Sequence, residues 1–232
     1  MSKLYTNVVT YGNNILYRGY NEEGRLVKNR PDFNPILYVP SNEETKHRTL
    51  EGVYVKPLKM GSIKEYRNFI KKYDGVSGVR IFGDINLECQ YIGKEFTEES
   101  VDYNYNLLKV AGIDIETTCE EGFPDVDSPD EKVIAITVQI NDKTTSFGID
   151  SFDIVGVDCN ICSGELDLLK SFLDFWDKEK PDIVTGWNIR FFDIPYLYNR
   201  MKKVLDEKQA KRLSLWGIVK ERTIHRRNRE QK

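Results

Sequence analysis

The run Lys132-Val133-Ile134-Ala135-Ile136-Thr137-Val138-Gln139-Ile140 constrains the fold more than any other stretch. β-branched apolar residues dominate it. They are stiff at χ1 and pack well on a pleated surface, so the run predicts a strand. A lone strand is unstable without paired neighbours, and the flanking sequence supplies them. Leu107–Glu116 and Thr144–Ile149 read as strands, with Asn141-Asp142-Lys143 as the hairpin turn between the last two. Leu166, Leu169, Phe172, Leu173 and Trp176 then recur at helical spacing, and Pro181 follows that helix. Ile183–Thr185 is a short strand, and another helix is expected from about Pro195 onward, with Leu197, Met201, Val204 and Leu205 on its apolar side. The order β-β-β-α-β-α predicts a mixed sheet with helices on its faces.

A different pattern precedes it. Leu4–Thr10 and Asn14–Tyr20 read as a hairpin around Gly12-Asn13-Asn14, and Glu22-Glu23-Gly24 as a further turn. Pro35–Val39, Val53–Val55 and Val79–Phe82 are short strand candidates. Ser62-Ile63-Lys64-Glu65 is a capping box, in which hydroxyl and carboxylate satisfy free backbone N–H groups. Ile63, Tyr66, Phe69, Ile70 and Tyr73 continue it as a helix that Gly75 stops. The polar, acidic stretch Glu95–Asn106 separates the patterns. The expected organisation is an α+β amino-terminal domain over 1–105 and an α/β domain over 106–232.

Composition narrows the class. The chain is 40% hydrophobic with a net charge of −3, enough apolar material for a core and against wholesale disorder. No apolar run approaches the roughly 18 residues of a membrane helix, and Met1-Ser2-Lys3-Leu4-Tyr5 does not begin a signal peptide, so a soluble, cytoplasmic protein without membrane partners is expected. Cys159-Asn160-Ile161-Cys162 has zinc-ligand spacing, but a second pair is missing and His47 and His225 are the only histidines, so two unrelated thiols are expected there. The tail from Lys220 to Lys232 carries Lys220, Arg222, Arg226, Arg227, Arg229 and Lys232. It reads equally as a solvated end or as a patch that steers nucleic acid.

The chemistry-bearing residues are carboxylates. Asp114 and Glu116 lie two apart on the apolar strand Val110-Ala111-Gly112-Ile113, so both project from one face while Ile113 and Ile115 face the core. Like charges this close repel, and a hard divalent cation removes the conflict. Alone, an Asp-x-Glu is common among surface acids. Thr185-Gly186-Trp187-Asn188-Ile189-Arg190-Phe191-Phe192-Asp193 adds a second element that links the short strand to the next helix. Asp193 there is either a helix N-cap or a further ligand, 79 residues along the chain from Asp114. The sheet provides a way to bring the three acids together.

On these residues the chain resembles family B DNA polymerases of the T-even phage branch, over essentially its whole length. Asp114-Ile115-Glu116-Thr117 is similar to the first motif of the 3′–5′ proofreading exonuclease, and Asn188 to Phe192-Asp193 to the second. Trp176, Lys180-Pro181, Pro195-Tyr196 and Tyr198-Asn199-Arg200 strengthen the match. The resemblance implies an amino-terminal domain followed by the first part of an RNase H-like exonuclease domain in a replicative polymerase. It implies hydrolysis of 3′-terminal nucleotides with two Mg²⁺ or Mn²⁺ ions. It also implies Asp114, Glu116 and Asp193 as metal-binding catalytic residues, with Phe123, Asn188 and Phe192 contacting DNA. Phe123, in Gly122-Phe123-Pro124, reads equally as a stacking ring or a loop anchor. Eight acids and no Lys or Arg fall between residues 111 and 131, a field that favours metal and opposes bare phosphate.

The same resemblance implies a third motif, Tyr followed four residues later by Asp, and none follows Asp193. The expected reading is therefore a truncated polymerase or half of a split one. Its partners would be single-stranded 3′ ends, primer–template DNA, and the remaining polymerase domains or a second chain, with weak or no activity alone. A phage-encoded chain would work in the host cytoplasm. A stand-alone metal-dependent nuclease and a non-catalytic nucleic-acid-binding module are the alternatives.

Overall fold

A computed structural model describes residues 3–96, 104–120 and 122–221. The chain divides into compact units at residues 1–107 and 108–232. No helix among the described residues is long and apolar enough to cross a membrane. Most of the basic tail, residues 222–232, lies outside them.

In the first unit, β1 (Leu4–Tyr11), β2 (Asn14–Tyr20) and β3 (Leu26–Asn29) form an antiparallel sheet in that order. Gly12, at φ +57°, makes the tight connection in the expected hairpin. A second sheet has the order β4 (Ile36–Pro40), β6 (Tyr54–Lys59), β5 (His47–Arg48). The strand expected over Val53–Val55 continues through Pro57. Proline is tolerated because β5 pairs only with Tyr54 and Val55, leaving one side of β6 without a ladder at Pro57. The strand expected over Val79–Phe82 is not formed. A single bridge joins Phe82 to Tyr38, with Gly78 and Gly83 at positive φ on either side. Helix α1 (Ile63–Tyr73) begins at the expected cap, with Glu65 N–H donating to Ser62 Oγ at 3.1 Å and Gly61 N–H to Glu65 Oε2 at 2.9 Å. Helix α2 (Leu87–Glu95), capped by Asn86, was not anticipated. Ile15, Leu37, Ile63, Tyr66 and Tyr91 lie in this unit's core.

The second unit holds a five-stranded mixed sheet in the order β10 (Val157–Ile161), β9 (Lys143–Gly148), β8 (Val133–Ile140), β7 (Val110–Thr117), β11 (Ile183–Thr185). β7, β8 and β9 are an antiparallel meander, and the edge strands β10 and β11 join in parallel. The β-branched run is thus the central strand. β10 is an addition to the expected order. It carries Cys159, and all four cysteines are free thiols.

Helix α3 (Glu165–Glu179) buries Leu168, Leu169, Phe172, Leu173 and Trp176, each burial contributing on the order of 1.5–3 kcal/mol. Leu166, expected on that stripe, is exposed instead. Lys180 closes the helix in the left-handed region, one residue before Pro181. Helix α4 (Asp193–Val204) buries Tyr196, Leu197 and Met201 in the same core as Ala111, Ile113, Ile115, Val133, Ile136 and Val138. Helix α5 (Glu207–Ala210) follows.

Candidate active site

Strand alternation places the first two acids. Along β7, Ala111, Ile113 and Ile115 are buried, whereas Asp114 and Glu116 are exposed. The third acid comes from the connection between β11 and α4. Gly186 lets that segment pass against β7, since a Cβ there would stand 2.5 Å from the Ile113 carbonyl oxygen and 2.4 Å from Ile189 Cγ2. Gly186→Ala is therefore expected to destabilise this unit by about 1–3 kcal/mol in urea titrations, because the crowded atom is backbone and cannot rotate aside. Asn188 then takes φ +55°, a region Asn tolerates better than most residues, and its carbonyl accepts from the N–H groups of Phe191 (2.9 Å) and Phe192 (3.1 Å). The turn points α4 back at the sheet.

Asp193 does not cap that helix. Phe192 occupies the N-cap position, and Asp193 is the first helical residue. Its carboxylate faces β7, where Oδ1 accepts from the Ile115 N–H at 3.3 Å. That amide is open because β11 pairs only with Val110, Ala111 and Gly112, leaving β7 without a neighbour beyond that point on that side. Asp193 is 4% exposed. Burial pushes its carboxyl above the usual aspartate value and the charge of Asp114 adds to this, opposed by the Ile115 N–H. So the fold sets a buried carboxylate within the field of the exposed Asp114 of β7. Among the described residues, no three His, Cys, Asp or Glu side chains gather closely enough to hold a metal ion. The donors at this place are nevertheless all carboxylates, the oxygen-only chemistry that hard divalent cations prefer. The donor chemistry suits such an ion, although the three carboxylates do not converge into one cluster.

Aromatic rings stand next to the acids. Phe123 is 83% exposed, and its ring lies 4.9 Å from that of Phe192, which in turn lies 5.4 Å from Tyr196. Trp187 is 92% exposed and Phe191 is also exposed, with the Arg190 guanidinium 5.8 Å from the Phe191 ring centroid. Neither stands among the DNA contacts expected from the sequence. The signal available was two large apolar residues inside a turn with no helical or strand periodicity to bury them.

The segment bearing Phe123, between β7 and β8, is tied at both ends. At its neck Thr118 pairs with Lys132 and its hydroxyl donates to the Glu131 carboxylate, which also accepts from the Glu120 N–H at 3.1 Å. Helix α4 donates to its carbonyls from the neck outward: Tyr196 Oη to Glu131 (2.6 Å), Arg200 Nη1 to Asp130 and Pro129 (2.9 Å each) and Asn199 Nδ2 to Val126 (2.9 Å). Arg200 is itself held by two 2.7 Å bonds to Glu165 on α3.

Comparison with known proteins follows the same lines. The family described as "DNA polymerase family B, exonuclease domain" matches residues 80–232. The DNA-directed DNA polymerase of Enterobacteria phage T4 is 29% identical over 97% of this chain, and that of Escherichia phage RB69 is 27% identical over 92%. The DNA polymerase catalytic subunit of Elephantid herpesvirus 1 is 33% identical over 51% of this chain and 12% of its own length. The chain spans 28% and 27% of the two phage polymerases.

Proposed function

Because the chain belongs to the exonuclease-domain family of family B DNA polymerases, we propose that it removes 3′-terminal nucleotides from DNA by metal-dependent hydrolysis, as the proofreading part of a replicative polymerase. In this reading residues 106–232 are an RNase H-like exonuclease domain and residues 1–105 a separate amino-terminal domain. Further polymerase domains, in the same or a second chain, complete the enzyme and present primer–template DNA. The observation that carries it is the Asp193 carboxylate, brought across 78 residues onto the Ile115 amide between Asp114 and Glu116.

Asp114, Glu116 and Asp193 would hold Mg²⁺ or Mn²⁺, which supply an activated water and charge stabilisation for the departing 3′ oxygen. The remaining contributions belong to the chain. Ile115 N–H holds Asp193 in one orientation. Phe123 offers a face to an unstacked base, backed by Phe192. Such stacking tolerates any base, as proofreading requires. Asn188, exposed in the turn, would contact the DNA strand with them. Water adds to phosphorus, the 3′ oxygen leaves with a proton, and a nucleoside monophosphate is released.

Two measurements on the intact chain test this. Mn²⁺ titration followed by the free-ion EPR signal should reveal binding that Asp114→Ala removes. Mg²⁺-dependent shortening of 3′-mismatched DNA, with the other polymerase segments supplied, should vanish in the same variant. Unchanged shortening in Asp114→Ala would end the assignment.

A further inference from the structure

One face of α4 reads the backbone of the segment that presents Phe123. Tyr196 and Arg200 serve its far end, at Pro129, Asp130 and Glu131. Asn199 alone reaches the near half, donating to the Val126 carbonyl three residues after Phe123. Pro124 and Pro129 are buried while Phe123 between them and the neck is exposed, so the segment is pinned by its prolines and leaves the ring standing outward. Among the described residues, the Asn199 bond is the one side-chain hydrogen bond that reaches the backbone between Phe123 and Asp127 from outside the segment. The same helix begins with Asp193, and its N-cap is Phe192, against which the Phe123 ring rests. Ring, carboxylate and amide donor are thereby referred to one rigid body.

We propose that Asn199 is a positioning residue for strand binding: it holds the Phe123 ring at a set distance from Asp193, so that a single-stranded 3′ end stacked on the ring lies in register with the carboxylates. This rests on the function proposed above. Asn199 touches no DNA, and its effect passes wholly through Phe123. A residue that merely supports the fold would change stability and leave the affinity of the folded protein alone. A positioning residue changes affinity in the folded protein, and only while Phe123 is present.

The test is the affinity of the intact chain for a short 5′-fluorescein oligothymidylate, by anisotropy in the cold, with Ca²⁺ in place of Mg²⁺ to spare the strand. Phe123→Ala is expected to weaken binding about tenfold, the worth of one stacked base. Asn199→Leu, close in shape but without the donor, is expected to weaken it about fivefold by loosening that stack. The double variant is expected to match Phe123→Ala alone to within about twofold, since removing the ring removes what Asn199 acts on. Asn199→Leu binding as tightly as the natural chain would overturn the proposal. So would losses that multiply in the double variant, which would make Asn199 an independent contact. If Asn199→Leu does not fold, Asn199→Ala carries the same cycle. A natural chain that ignores the oligonucleotide altogether brings down the proposed function first, and this inference with it. Binding that is lost only on Asn199 substitution brings down this inference alone.

Discussion

Arg200→Leu is expected to lower the stability of the α/β unit by about 3–5 kcal/mol, because it strands a buried carboxylate. The Arg200 and Glu165 side chains are only 7% and 11% exposed, and they meet in a two-pronged pair at 2.7 Å. A charge in that position cannot hydrate when its partner is removed. Replacing both partners by apolar residues often restores stability in such pairs, but here each has further duties. Glu165 Oε1 also accepts from the Val133 N–H at 2.8 Å, at the start of the central strand, and Arg200 satisfies two carbonyls. Arg200→Leu with Glu165→Leu should therefore recover only part of the loss and remain about 1–3 kcal/mol below the natural chain, reflecting the orphaned backbone groups. Urea titrations followed by far-ultraviolet circular dichroism measure all three variants. A loss under about 1 kcal/mol for Arg200→Leu would mean that the pair behaves as a surface ion pair.

Asp193→Asn is expected to separate activity from stability. Hydrolysis should fall by about a thousandfold or more, as several kcal/mol of transition-state stabilisation is lost with a metal ligand. The fold, in contrast, should gain. The Asp193 carboxyl is raised above its ordinary value of 3.8, by burial first and by Asp114 second. A group raised in this way contributes stability in full below its unfolded value, and that contribution disappears as pH climbs through the folded value. Above the folded value the natural chain therefore carries a buried charge that costs stability. Asparagine removes that charge, and its Oδ1 still accepts from the Ile115 N–H. The urea midpoint of Asp193→Asn should exceed that of the natural chain at neutral pH, with the gap closing in acid. A lower midpoint at neutral pH would mean that the carboxylate, in spite of its burial, holds the helix to the sheet more firmly than an amide does.

The parts of the fold legible in the chain were those where local chemistry and tertiary context agree. Val133 to Ile140 announced a strand because β-branched residues suit a strand flanked on both sides. Ser62 and Glu65 announced a helix start because both cap bonds are local. β3, β5 and β10 were not legible. Val157-Asp158-Cys159-Asn160-Ile161 alternates apolar with polar residues, but over only five positions and without the β-branched density of the central strand, and β9 offers it a parallel edge. Helix α2 was missed although Asn86 caps it, since over nine residues its buried positions Leu87 and Tyr91, with Ile92 beside them, are too few to mark a stripe. Val79–Phe82 misled through β-branched composition, which the glycines at 78 and 83 overrule. At the site, the alternation of Asp114 and Glu116 followed from strand geometry alone. The orientation of Asp193 did not. Capping and reaching across to β7 both place an aspartate at a helix start, and the vacant Ile115 amide that decides between them exists only once the sheet is assembled.

That vacancy has its origin in the brevity of β11, which halts at Thr185 opposite Gly112. Were the outer strand longer, its own carbonyls would consume the amide and push the helix start outward, and a tidier sheet would be chemically mute. The short outer strand thus trades a few ladder bonds for an opening through which a helix-borne carboxylate reaches the sheet.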